Sequence, residues 1–180
     1  MLKTADVRYQ LINDLTAYLL DKYQIKGPPI DIEHIIKAEN IKVVKTTLGK
    51  NVSGISITDG DNKIIAINET ETNKERQRFT LAHELGHLLL HKEQNLIISS
   101  YVVMSRRDEN STTGIDRREI EANAFAASLL MPKKLLEKEL KDKKQICYSD
   151  IVTLIKDFKV SEQSMFIRLK SLGFISYYED

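Results

Sequence analysis

Three of the four histidines in this 180-residue chain fall within nine positions, in the stretch FTLAHELGHLLLH at 79–91. His83 and His87 are four residues apart, so on a helix they are separated by about 40° of rotation and roughly 6 Å of rise, and both imidazoles can grip one ion. Glu84 lies about 100° around the same helix, beside such an ion without binding it, which is where a general base must stand. HExxH on a helix is the zinc metalloprotease arrangement. Two imidazoles and a carboxylate on a helix otherwise built from leucine would be costly to bury without a shared purpose.

A catalytic zinc needs three protein ligands and an open position for water. The extended pattern HExxHxxGxxH would put glycine at 90 and histidine at 93, where this chain has Leu90 and Glu93. His91 continues the helix but sits too far along the axis from His83 to close a compact tripod, and it reads as a structural residue or one that supports a ligand from behind. The third ligand is expected on a second helix, EIEANAFAASLLMP at 119–132, which offers two carboxylates. At about 100° per residue from Glu119, the stripe of Ala122, Phe125, Ala126, Leu129 and Leu130 centres near roughly 310°. Glu119 is then about 50° from the centre of the buried face and points inward, whereas Glu121, about 110° away, reads as a solvated residue and the reserve candidate. Asn123, one turn beyond Glu119, is placed to hydrogen-bond a zinc-bound histidine and fix its tautomer. The expected site is one Zn2+ ion, with Mn2+ as the alternative, held by His83, His87 and Glu119. Glu84 is the catalytic carboxylate, and Asn123 and His91 stand behind the ligands.

These residues need a scaffold. Val7, Leu11, Leu15 and Leu19, with Ile12 and Tyr18, predict a first amphipathic helix ending before Gly27-Pro28-Pro29. IDIEHIIKAEN from Ile30 predicts a short second helix, with His34 a partly buried structural histidine. IKVVKTTL, VSGISIT and KIIAIN are rich in β-branched residues, and DGDN at 59–62 is a hairpin turn between the last two, which predicts a three-stranded, at least partly antiparallel sheet. Thr72 and Glu75 fit a capping box opening the HELGH helix. SRRDENSTTG at 105–114 has no periodicity and reads as a mobile loop bordering the cleft. RREIEANAFAASLLM ends at Pro132, which opens KKLLEKELK, and two short helical patterns follow from Tyr148. The class is α+β. Residues 1–147 are expected to form the site-bearing domain and 148–180 a helical extension, helix-turn-helix-like, packed on it.

Composition narrows the partners. With 27 Lys plus Arg against 26 Asp plus Glu, the net charge of +1 supplies no global field toward nucleic acid or an acidic membrane. The extension from Tyr148 carries four basic and five acidic residues, too few cations for a phosphate-binding face, so direct nucleic-acid binding is not expected. Cys147 is the only cysteine, which excludes an intrachain disulfide and a thiolate zinc cluster. MLKTADVRYQ lacks the apolar region of a secretory signal, and no apolar run approaches the roughly 18 residues of a membrane span, so a cytoplasmic protein is expected.

HELGH at 83–87, the HLLLH that follows and EIEANAFAASLLMP at 119–132 together resemble the ImmA/IrrE family of zinc metallopeptidases. The resemblance implies a small zincin-like fold, zinc on His83, His87 and Glu119, and catalysis by Glu84. It also implies a protein substrate: similar proteins cleave helix-turn-helix repressors and so derepress stress, prophage or mobile-element genes. The rival expectation is a non-catalytic, zinc-stabilised regulator that binds a partner or DNA. An edge strand such as VSGISIT is expected to hold substrate by strand addition, and Tyr101 and His91 are candidates for the second oxyanion donor.

Overall fold

The computed structural model describes residues 7–93, 95–100 and 117–175. In chain order the elements are α1 (Tyr9–Lys22), α2 (Ile32–Ala38), β1 (Ile41–Thr46), β2 (Val52–Asp59), β3 (Asn62–Asn68), α3 (Lys74–Leu90), β4 (Leu96–Ser100), α4 (Arg117–Leu130), α5 (Lys133–Leu140), α6 (Tyr148–Phe158) and α7 (Glu162–Ser171). The α+β class is as expected. The sheet runs β1-β3-β2-β4, with β1 parallel to β3 and the other pairs antiparallel.

The turn between β2 and β3 is a two-residue loop closed by the pair Asp59 and Asn62. It starts at Gly60, whose φ of +57° suits a primed hairpin turn that follows the strand twist. β4 is a fourth strand that the periodicity of the chain does not announce. Leu96 and Ile98 point outward, 55% and 57% exposed, while Ile97 and Ser99 point inward, so the buried face of β4 lacks the apolar alternation that marks a strand. The inward rows across the sheet read Ile67, Gly54, Ser99 and Ile65, Ser56, Ile97. One end of the inner face is thus apolar and the other small and hydroxylic.

α3 lies on β2 and β3 and packs against α4, which is covered in turn by α1. α3 opens at Asn73, whose side chain accepts from Arg76 N, rather than through the expected Thr72 and Glu75 box. Asn is as good a cap as Thr and stands one residue nearer the first turn, where Glu75 complements the helix dipole. In α1 the inward residues are Ile12, Thr16 and Leu19, and the expected stripe is rotated so that Leu11 and Tyr18 face outward at 45% and 58% exposure. His34 is exposed on α2 and meets Tyr23 edge-on, because Ile32, Ile35 and Ile36 take the buried face. α6 and α7 send Ile151, Leu154, Phe158, Met165 and Leu169 into the same core cluster that holds Leu85 and Phe125. Among the described residues no helix is long and apolar enough to cross a membrane.

Candidate metal centre

α3 and α4 cross where α3 carries Gly86, and that glycine allows the close approach. A Cβ there would stand 3.0 Å from Phe125 Cδ1 and 3.3 Å from Ala122 Cα. The crossing brings the middle of α3 to the first turn of α4, so His83, His87 and Glu119 each offer a ligand atom, all within 4.8 Å of one another. His83 Nε2 and His87 Nε2 are 3.0 Å apart; Glu119 Oε2 lies 3.2 Å from the first and Glu119 Oε1 3.1 Å from the second. Two donors on a tetrahedral zinc, at bond lengths of about 2.05 Å, would be roughly 3.3 Å apart. The separation of the two nitrogens, and that of each nitrogen from the carboxylate oxygen nearest it, is within a few tenths of an ångström of that, and two nitrogens with one carboxylate form a donor set suited to zinc or manganese.

Both histidines turn Nε2 toward this point because their other nitrogens are engaged. His83 Nδ1 is 2.9 Å from Asn123 Oδ1, so the ring donates from Nδ1 and leaves a lone pair on Nε2. His87 Nδ1 is 3.1 Å from His91 Nδ1. Burial works against a charged His83, but Glu119 and Glu84 outweigh it and raise its pKa. Burial likewise opposes ionisation of Glu119, yet His83 and His87 hold it well below the usual carboxylate range.

Glu84 is fully buried beside this group. Burial pushes its pKa up to about 7, against the opposing pull of His83 and of the Ser99 and Ser56 hydroxyls. Its two oxygens complete no hydrogen bond of good geometry, nor do Ser56 Oγ, Ser99 Oγ and Glu119 Oε2. Five buried polar atoms in one place that lack a well-formed hydrogen bond fit a site built for an ion and a polarised substrate. The hydroxylic end of the sheet therefore serves Glu84. Gly54 belongs to the same patch: a Cβ there would stand 2.7 Å from Glu84 Oε1, 2.8 Å from Thr80 Cγ2 and 2.9 Å from Glu84 Cγ. Gly54→Ala should cost about 1–3 kcal/mol through overpacking, read as a lower denaturation midpoint of the metal-free protein. Gly49→Ala, whose Cβ would meet Val52 Cγ2 at an ordinary 3.5 Å, is the control and should change little.

Residues 36–170 match the Peptidase_M78 family, the IrrE N-terminal-like domain. This chain belongs to that family. Among relatives of the Peptidase_M78 domain, metallopeptidase ImmA of Bacillus subtilis (strain 168) is 30% identical over 146 residues, covering 76% of this chain and 78% of the relative. An immunity region protein of Bacillus phage phi105 is 32% identical over 124 residues, 69% of this chain and 70% of the relative. A Mycobacterium tuberculosis transcriptional regulator of known structure shares the fold, with a TM-score of 0.58 at 17% identity over 88% of this chain. The chain spans 46% of that regulator's length. Membership in a metallopeptidase family implies a metal ion, and the donor set of this M78 domain fits one.

Two expectations are corrected. Glu121 is not a solvated residue: its side chain is fully buried, because the start of α1 covers that side of α4 and places Arg8 upon it. Arg8 Nη2 is 2.6 Å from Glu121 Oε2, and His91 Nε2 is 3.0 Å from the same oxygen. Burial opposes its charge, but Arg8 and His91 bring its pKa down to about 2. β2 is not an edge strand, since it is paired on one side to β3 and on the other to β4. The outer strands of the described sheet are β1 and β4. Tyr101 and the 105–114 loop lie outside the described residues. Of the residues around the ligands, sequence reasoning missed Arg8, Gly54, Ser56 and Ser99. Only the run of small residues in VSGIS and ISS could have signalled the last three.

Proposed function

We propose that the chain is a zinc-dependent endopeptidase that cuts a helix-turn-helix transcriptional repressor in the cytoplasm and so derepresses stress, prophage or mobile-element genes. The observation that carries the reading is the meeting of His83 Nε2, His87 Nε2 and a Glu119 oxygen at one point, with the Glu84 carboxylate buried beside it. His83, His87 and Glu119 would hold the ion, zinc or alternatively manganese. When bound, such an ion lowers the pKa of water at its open position toward about 7 and polarises a peptide carbonyl.

The chain's own groups do the rest. Glu84 accepts a proton from the attacking water at a carboxylate oxygen and delivers it to the leaving amine. Gly54 leaves the Glu84 carboxylate room to move between these two roles. Asn123 fixes the tautomer of His83. β4, at the edge of the described sheet, is the strand on which an extended substrate segment would add, in place of β2.

The names of two relatives support the substrate class: one is a metallopeptidase and the other an immunity region protein of a phage. The intact Glu84 speaks against a purely structural metal centre. α7 speaks against a DNA-reading helix, because its Arg168 is turned inward and donates from Nε to Met131 O at 3.1 Å. Met165 and Leu169 of α7 are buried in the core, which makes that face of the helix a packing surface. The test is incubation of the zinc-loaded protein with the repressor encoded beside its gene. A single cut in a linker or fraying helix end, with little digestion of casein, is expected. Rapid digestion of casein would contradict a regulatory protease.

A further inference from the structure

We propose that Arg8, Glu121 and His91 form a positioning relay that holds His87 in the tautomer a metal ion requires, so that metal affinity at the site is set in part from the start of α1. The inference rests on the metal site proposed above and assigns work to three residues outside it.

The donor and acceptor inventory fixes the direction of the relay. Glu121 is a carboxylate acceptor held in place by Arg8, whose Nε lies 3.1 Å and 3.2 Å from its two oxygens and whose backbone N–H is 3.1 Å from Oε1. His91 Nε2, 3.0 Å from Glu121 Oε2, must therefore be the nitrogen that carries the proton. With the proton on Nε2, Nδ1 is the accepting nitrogen of the His91 imidazole. Across the 3.1 Å contact between the two Nδ1 atoms, His87 must be the donor. Its proton is on Nδ1, and Nε2 is left with a lone pair facing His83 Nε2 and Glu119. Asn123 does the same for His83 in one step; His87 needs three residues because its back faces the interior between α3, α4 and the start of α1.

Arg8 closes the chain of constraints. It is the N-cap residue of α1 with no side-chain cap of its own, and Nη2 also donates to Leu90 O at 3.2 Å, at the end of α3. One guanidinium therefore joins the start of α1, the end of α3 and the carboxylate of α4. Removing it takes away the donors that fix the Glu121 carboxylate against His91 Nε2 and leaves Arg117 Nε, 3.5 Å from Oε1, as the remaining cation there. The acceptor that orients His91 would then be free to shift, without any change in the ligands.

Zinc affinity of the full-length protein, measured by competition with a chelator, tests the relay. His91→Leu should weaken zinc about 10- to 100-fold, the loss typical of removing the partner behind a ligating histidine. His91→Gln, which carries an acceptor and a donor, should recover part of that loss. Arg8→Gln, at a side chain 37% exposed, should weaken zinc several-fold while leaving every ligand in place. In the zinc-loaded protein the His87 Nδ1–H proton should exchange slowly with solvent, and His91→Leu should abolish that protection, which a merely structural role would not require. Should His91→Leu fail to fold, Arg8→Gln carries the same test. Unchanged zinc affinity in folded His91→Leu or in Arg8→Gln, or a His91→Gln no better than the leucine, overturns the relay. Zinc bound normally by a protein that cuts no peptide would instead defeat the peptidase reading and leave the relay intact.

Discussion

Glu84→Gln should bind zinc as tightly as the parent protein and cleave its substrate about 100- to 10,000-fold more slowly. The substitution keeps the shape of a side chain that is fully buried between His83 and the hydroxylic end of the sheet. No hydrogen bond of good geometry is broken, since neither Glu84 oxygen makes one, so stability should fall little or rise slightly. What the amide cannot do is take a proton from water and pass it on. Turnover of a defined substrate and zinc competition, measured on the same preparations, separate the two effects. Turnover close to that of the parent would remove Glu84 from the mechanism.

Glu119→Ala is expected to strike the metal itself. Its carboxylate is the one oxygen donor facing both His83 Nε2 and His87 Nε2, and no other described acidic group joins that cluster. The loss in zinc affinity should exceed the roughly 10- to 100-fold that a supporting residue produces. At zinc about 100-fold above its Kd, binding adds about 2.7 kcal/mol to the stability of the parent protein. Glu119→Ala should gain almost none of this at the same zinc concentration, read as the missing shift in thermal unfolding. A full zinc-induced shift in Glu119→Ala would mean that another group, with Glu121 next in sequence, holds the ion.

The parts of the site that could be read from the chain are those lying on one regular element. Helical spacing is enough to put His83 and His87 on one side of α3 with Glu84 beside them, and to turn Glu119 inward on α4. Glu121 defeats the same arithmetic. An angle measured from an apolar stripe locates one buried face, whereas α4 is buried on two, by α3 and by the start of α1. Arg8 comes 113 residues before Glu121, and no local pattern connects them. β4 and the Gly54, Ser56, Ser99 patch were hidden for a related reason. Strands are recognised by apolar residues on the buried face, and here that face is hydroxylic because it stands against a carboxylate. The parallel pairing of β1 with β3 is a matter of chain crossing that alternation along each strand does not encode.

Anomalous diffraction at the zinc edge from crystals of the zinc-loaded protein tests the assignment of the metal centre most directly. One strong peak is predicted, with His83 Nε2, His87 Nε2 and a Glu119 carboxylate oxygen at about 2.0–2.2 Å, and with Glu84 nearby but outside bonding distance. A peak bonded to Glu84 or Glu121 in place of Glu119, or no ordered ion between the two histidines, would contradict it.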